Sequence, residues 1–516
     1  MTGMASPPPS AAWPDDIPIR IGTAEAFAQI RRFARDAGYD DATVCRALSV
    51  KELHEADNLD WATVDLSALP AALRWCIDVL FRGVPAAEAD SRAICGGATL
   101  AALFELGLLE PARDRPGAVI CPVWAYPVDG FLTVSDRRDS AAGATAIAGD
   151  DVVFPGLDIG TIRFLRYMPD ARGGDALDLC GGCGVGALHQ SRTAAHACTV
   201  DVTARSTAFA EFNAHLNDAA VSSLCGDLYA PVQGRQFDLI TAHPPYVPTY
   251  GRAYVFRDGG DTGEIIIRRI VEGLPAHVRP GGTAMLICAG RDTAEQPFER
   301  RVSAWLGPAA TDFDMVFALI KTMAIDEVIA SLQSRSQPLT AEEAQELRTR
   351  LTELGTRQFA YGTLVLRRSA VPVDAPPLRI RLTDTAVPAD FDRLLDWRAF
   401  RRQAAFRPWL AAARPRFAPQ VELTARHVAE DGQLVPAELT FRADGAFQSA
   451  LRLDAWMAPL VAAFDGQRSA RAVFDAAHAA GELPDAFAFA DFADLVGVMV
   501  ELGFLDVAFP PIGRVN

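Results

Sequence analysis

The sequence predicts an α/β protein organised around a doubly wound, mostly parallel sheet over residues 151–368, with a helical domain before it and an α+β module behind it. Four short runs and what ends each of them carry this prediction. A short apolar run, 176–179, leads into the glycine-rich stretch Cys180-Gly181-Gly182-Cys183-Gly184-Val185-Gly186. A second run, 197–200, stops on Asp201, and a third stops just before Asp227. A fourth, 237–242, stops at His243-Pro244-Pro245-Tyr246. Parallel strands buried on both faces read as continuous apolar runs, and their C-terminal ends are where doubly wound sheets hold ligands.

At 516 residues the chain exceeds what one hydrophobic core covers, so several domains are expected. Residues 1–20, with Ser6-Pro7-Pro8-Pro9-Ser10, read as a disordered lead-in; 21–150 as a helical, winged-helix-like domain; and 151–368 as the central domain. A proline-rich linker, 369–380, then precedes a winged-helix-like module over 381–516. The chain has no run of ~18 uncharged apolar residues, and its N-terminus lacks the basic and apolar regions of a signal peptide. A cytoplasmic protein with no membrane partner is expected. The net charge of −16 disfavours a broad basic surface for nucleic acid, although a local basic groove is compatible with it. The nine cysteines form no disulfide pattern, and Cys180-x-x-Cys183 lacks the second ligand pair of a zinc site, so no metal is expected.

Taken in order, residues 23–37 place Phe27, Ile30, Phe33 and Ala34 at helical spacing. Further helices are predicted over 69–81, 86–93 and 98–106, the last ended by Gly107, and strands over 118–124 and 130–135. This region reads as a cap shaping the substrate entrance. The segment from Phe154 to Thr161 sits before the first core strand, where Asp158 or Thr161 could touch a cofactor, or where the chain simply turns.

The glycine-rich stretch leaves out Cβ atoms where a ligand presses on backbone, and the helix opening near Val185 offers unpaired N–H groups. Its spacing from Asp178 is D-x-x-x-G-x-G rather than the G-x-G-x-x-G of dinucleotide folds, which points to S-adenosylmethionine. Asp178, Gly182 and Gly184 are the loop's candidate cofactor residues. Asp201, about 20 residues on at a strand end, is placed to accept the ribose hydroxyls. Asp227 is placed to accept from an adenine amino group, with Leu228 against the ring. In the last motif two prolines stiffen the loop, so the Pro244 carbonyl can face a substrate amine and Tyr246 can stack on a planar group.

Together Asp178–Gly184, Asp201, Asp227 and 242–246 resemble the class I methyltransferases with an Asn-Pro-Pro-Tyr motif, which include release-factor glutamine methyltransferases and ribosomal RNA and tRNA N-methyltransferases. The resemblance spans about 150–368 and implies a Rossmann-like seven-stranded domain whose last strand, 359–368, inserts antiparallel. It also implies S-adenosylmethionine as cofactor. One residue departs from it: His243 stands where that family has Asn or Asp. A neutral imidazole still accepts one hydrogen bond, but with an ordinary pKa near ~6.5 it could also take a proton. Methylation of a nitrogen in a protein, peptide or small molecule is the leading expectation. RNA N-methylation, O-methylation with His243 as base, and a cofactor-sensing binding protein are the alternatives.

Within the central domain, before its last strand, Thr340-x-x-Glu343 is a capping box opening a helix. Further on, Arg401, Arg402, Arg407, Arg414 and Arg416 alternate with Phe400, Phe406, Trp409 and Phe417; that pattern suits a nucleic-acid backbone or, more commonly, a solvated helix face over an apolar underside. Helices are predicted over 451–464, 469–480 and 487–504.

Overall fold

The computed structural model describes residues 13–14, 16–137, 149–249, 254–334 and 339–510; the expected Ser6–Ser10 lead-in lies outside them. The chain forms two compact units. One comprises the residues up to Arg291 together with Ile325–Arg357, the other Asp292–Ala324 together with everything from Gln358 on. Residues 21–150 therefore share a unit with the glycine-rich loop.

In the first unit, helices α1 (Ala24–Asp36), α2 (Glu88–Cys95) and α3 (Gly97–Glu105) precede a hairpin, β1 (Trp124–Val128) and β2 (Phe131–Ser135). The strand expected over 118–124 ends at Ile120 and restarts at Trp124, because Pro122 lies between and supplies no backbone donor. Helix α4 (Ile159–Tyr167) follows, capped by Asp158, whose side chain accepts from the Gly160 N–H at 2.8 Å. Then come β3 (Asp175–Leu179), α5 (Val185–Gln190), β4 (His196–Asp201), α6 (Ala204–Leu216), β5 (Val221–Cys225), β6 (Phe237–Ala242), α7 (Ile265–His277) and β7 (Val278–Thr293). These strands lie side by side, all parallel, in the order β5-β4-β3-β6-β7. The chain thus starts at β3, builds outward to β5, and crosses back to β6 on the other side. That reversal opens a crevice at the strand ends, and Asp178 on β3 has Thr199 of β4 and Thr241 of β6 as its lateral partners.

Polar ties bind the hairpin to this sheet. Asn213 and Asn217, one turn apart on α6, act as the missing neighbour of β2. The Val134 and Leu132 N–H groups donate to their side-chain oxygens at 2.8 and 3.0 Å, and their amide nitrogens donate back to the same residues' carbonyls at 2.8 Å. Asp136 and Arg205, both buried, form a two-pronged ion pair at 2.7 Å. Near the end of this unit lie α8 (Ile325–Gln333) and α9 (Ala341–Glu353), the latter opened by the Thr340/Glu343 capping box.

The second unit holds β8 (Phe313–Met323) paired antiparallel with β9 (Thr356–Arg368), and β10 (Leu378–Leu382) parallel to β8. The linker expected over 369–380 is therefore shorter, since Leu378 and Ile380 already pair in the sheet. After α10 (Pro388–Arg401) and α11 (Phe406–Ala412), a meander of β11 (Val421–Glu430), β12 (Gln433–Asp444) and β13 (Phe447–Asp454) extends the sheet from β10. The helix expected over 451–464 is displaced by β13 up to Asp454. Helices α12 (Ala470–Ala479) and α13 (Phe489–Glu501) close the unit.

The arginine–aromatic alternation of this unit resolves into core and ion pairs. Phe400, Phe406 and Trp409 cluster on buried Trp397, while Arg402 pairs with Asp314, Arg401 with Glu501, Arg407 with Asp494 and Arg416 with Asp506. Arg398 is the buried member of this set, donating to Asp314 at 2.7 Å, Glu501 at 2.5 Å and the Pro376 carbonyl at 2.9 Å. Arg398→Ala takes the most buried cation from Asp314 and Glu501, which keep only Arg402 and Arg401, so it is expected to destabilise this unit by about 2–3 kcal/mol, read as a shifted urea midpoint. A loss under about 1 kcal/mol would sink the assignment. Among the described residues no helix is long and apolar enough to cross a membrane.

Candidate functional site

A cavity of about 560 Å³ opens at the strand ends of the first unit, a size that suits a nucleoside-like ligand. Its floor is the glycine-rich loop. Gly182 lines it with φ +54°, and a Cβ added there would meet no protein atom within 4 Å, so bare backbone faces the space. Gly186, also lining, has no room for a side chain, because its Cβ would lie 2.5 Å from the Asp178 carboxylate. Gly184 takes no part in the lining. Its φ of +81° turns the chain into α5, and its Cβ would stand 2.8 Å from that of Ala210. Its glycine is required by a tight turn packed on α6.

Two carboxylates frame the floor. Asp178 is fully shielded and accepts from the Thr241 hydroxyl at 2.8 Å, which in turn accepts from the Gln190 amide at 2.7 Å. Burial pushes its pKa up to about 7; the Thr241 bond opposes this, and the negative charge of Asp201 adds to it. Asp201 accepts from the Gly182 N–H at 2.9 Å and the Thr203 N–H at 3.1 Å, fixing the loop with one oxygen pair. Burial raises its pKa as well, against those bonds. A cavity with two such acids suits a ligand carrying hydroxyls and positive charge. A bound cation favours the ionised form of Asp178. Binding is therefore expected to release a proton and to weaken as pH falls from about 8 to about 6. Titration calorimetry in buffers of different ionisation heat reads that proton directly. Without ligand the sign reverses for stability: the folded carboxyl sits above its ordinary value, so the protein loses stability as pH rises from the usual carboxylate range to about 7.

Further along the rim, Leu228 lines the cavity and is buried, while Asp227 is about half exposed and paired with Arg269 at 2.7 Å. The arginine, which sequence reasoning overlooked, holds that carboxylate at the rim.

The opposite wall carries the motif that ends β6. His243 stacks on Tyr246, with ring centres 6.0 Å apart and planes at 19°, and touches Phe164 of α4. Burial pushes the imidazole down to about 4, against the attraction of Asp158, so it is neutral at physiological pH. Pro244 is buried against the cavity, and among the described residues no donor takes its carbonyl. Both Asp158 and Thr161 line the cavity. At the mouth, Phe154 stacks on Phe256 at 4.7 Å.

Two residues from the hairpin side were not foreseen. The Gly156 N–H donates to the buried Tyr126 hydroxyl at 2.6 Å, fixing the segment that runs from Phe154 to Asp158. Asn213 also donates to the Cys183 carbonyl of the glycine-rich loop at 2.8 Å. No local signal marks either one; they were findable only by knowing that the hairpin docks on α6. Asn213→Ala would leave three buried backbone groups unpaired. It is expected to cost about 3 kcal/mol or more in urea unfolding and to weaken ligand binding through the loosened loop. Among the described residues no cluster of His, Cys, Asp or Glu forms a metal site, and Cys180 and Cys183 are free thiols.

Residues 148–305 match the family described as Methyltransferase small domain. The chain is 32% identical over 145 residues to the ribosomal protein uL3 glutamine methyltransferase of Bradyrhizobium diazoefficiens, covering 25% of this chain and 46% of that protein. It is 32% identical over 133 residues to the release factor glutamine methyltransferase of Geobacter sulfurreducens, covering 24% and 47%. It is 31% identical over 135 residues to the ribosomal RNA small subunit methyltransferase C of Mannheimia succiniciproducens, covering 25% and 37%. The chain thus spans about half or less of the length of these relatives.

Proposed function

We propose that this chain, whose residues 148–305 form a class I S-adenosylmethionine-dependent methyltransferase domain of the small-domain type, methylates a nitrogen of a protein or peptide acceptor held at His243-Pro244-Pro245-Tyr246. The observation that carries the choice of nitrogen is the neutral His243 beside the unclaimed Pro244 carbonyl. Two acceptors on one wall suit a group with two N–H donors, such as an amide or amine. An alcohol offers one donor and needs a base, and an imidazole near 4 is a weak one at neutral pH. O-methylation is disfavoured on that ground. The net charge of −16 favours a protein over an RNA acceptor, and two of the relatives above are named as glutamine methyltransferases.

The chain's residues divide the work. When bound, S-adenosylmethionine supplies an electrophilic methyl group on a sulfonium. Gly182 and Asp201 would hold its nucleoside part, with Asp227 and Leu228 at the base. Asp178 would balance its positive charge. His243 and Pro244 orient the nitrogen lone pair toward the methyl group, and Tyr246 covers the planar acceptor. Because an in-line displacement depends mostly on alignment, fixed acceptors on a rigid loop are the main catalytic contribution.

Labelling a cell lysate with tritiated-methyl S-adenosylmethionine and the purified protein, then separating protein, RNA and small-molecule pools, tests this. Label in the protein pool that disappears with His243→Ala is the expected result. Label confined to RNA or to small molecules overturns the acceptor, and no label in any pool overturns the activity.

A further inference from the structure

The sheet of the second unit ends on an uncovered strand. β11 is outermost in the strand order, and most of its residues are exposed. On one face Val421, Leu423 and Ala425 stand opposite Ala443, Phe441 and Leu439 of β12, all three buried. The core row therefore runs to the edge and stops there, leaving Leu423 51% exposed. The other face carries Glu422, Thr424 and Arg426. Both charged residues are exposed, and neither has an ion-pair partner among the described residues. Long edge strands present a row of unpaired backbone groups and are usually blunted by Pro or Lys. Residues 421–430 contain neither.

We propose that β11 pairs antiparallel with β11 of a second copy of this chain, across a two-fold axis at Thr424. Its charge pattern selects this register. A symmetric pair places residue i opposite the residue equally far beyond the axis. About Thr424, Glu422 faces Arg426 of the second copy twice over, and Leu423 covers Ala425. The fuller overlap, about Arg426, is the worst electrostatically: Arg426 faces itself and Glu422 faces Glu430. An axis at Val428 would match Arg426 with Glu430 but pairs only 426–430. It also falls where the β11–β12 register shifts between Arg426 and His427, a bulge of the kind that twists an edge away from partners. The central pairs about the Thr424 axis, 422–426, all lie in the regular part of the strand. The pairing would join two copies into one continuous sheet and bury the apolar row that now ends in solvent.

Sedimentation equilibrium of the full chain tests the proposal through exchange of charges. Wild-type protein is expected to dimerise with concentration, with amide exchange in 421–427 slowing as it does. Glu422→Arg turns both cross-pairs into contacts between two arginines, and Arg426→Glu turns both into contacts between two glutamates. Each should weaken self-association by roughly thirtyfold. Mixed in equal amounts, the two variants should regain wild-type affinity as a heterodimer. The arginine introduced in one copy then faces the glutamate introduced in the other, and the native Arg426 and Glu422 that remain still match. That recovery also shows each variant is folded. Glu430→Arg should leave the dimer unchanged. A wild-type chain that stays monomeric, single variants that dimerise like wild type, a mixture that does not recover, or dissociation by Glu430→Arg would each overturn it.

Discussion

Asp201→Ala is expected to weaken S-adenosylmethionine binding by at least about a hundredfold, because a carboxylate accepting two ligand hydroxyls contributes about 1.5–3 kcal/mol per bond. Besides lining the cavity, Asp201 accepts the Gly182 and Thr203 N–H groups and so sets the loop's shape. Alanine removes both functions. Asparagine keeps an acceptor for Gly182 but lacks the charge, so Asp201→Asn should fall between, near a tenfold loss. Titration calorimetry gives the affinities, and thermal unfolding without ligand separates loop damage from lost contacts. If alanine and asparagine weaken binding equally and lower the melting temperature equally, Asp201 shapes the loop and touches no ligand. Affinity within threefold of wild type for Asp201→Ala would remove it from the site altogether.

The part of this site legible in the sequence is the part built from strand ends. Asp178, Gly182, Asp201 and Leu228 reach one cavity because parallel strands deliver their C-terminal residues to one edge, a consequence of topology that a run of apolar residues already announces. Gly184 shows the limit of that logic. A glycine in the right spacing can be required by helix packing, here against Ala210, as well as by a ligand. Tyr126 and Asn213 are illegible because they act across long sequence separations, 30 residues to Gly156 in one case and 30 to Cys183 in the other, through a docking no local pattern encodes. Helix α4 reads as a turn in the sequence because Gly160 follows its cap. A side chain there would be crowded from two sides, since a Cβ would lie 3.1 Å from both Asp158 Oδ1 and the His243 imidazole. Strands β11 and β12 escape notice for a different reason. Their apolar alternation is short, Val421, Leu423 and Ala425 against Ala443, Phe441 and Leu439, and charged or small residues fill most of the rest, while the sequence reads as helix from Leu451 where β13 still runs to Asp454.

In the proposed function His243 meets the acceptor, and the two roles open to it there give opposite results. As a hydrogen-bond acceptor it needs only a lone pair at the right place, which an asparagine oxygen also offers; as a base it needs a nitrogen that takes a proton. His243→Ala is expected to lower kcat by about a hundredfold, with little change in cofactor affinity. His243→Asn should stay within about tenfold of wild type if the residue positions a nitrogen, and should fall to the level of alanine if it is a base. The pH profile of the wild type adds an independent check. With the imidazole pushed down to about 4, kcat should show no inflection near the ordinary histidine value and should decline only at the acid end. A break near ~6.5 that persists at saturating cofactor, where the bound cation keeps Asp178 ionised, would mean that the imidazole charges in the working enzyme, contrary to its enclosure by Phe164, Tyr246 and α4. Gly160 ties the geometry to this choice. Gly160→Ala pushes a methyl against the imidazole and should lower kcat severalfold. The shorter asparagine relieves that contact, so Gly160→Ala combined with His243→Asn should be no worse than His243→Asn alone. If the double variant instead multiplies the two losses, the methyl acts on the Asp158 cap of α4, 3.1 Å away, and not through the ring.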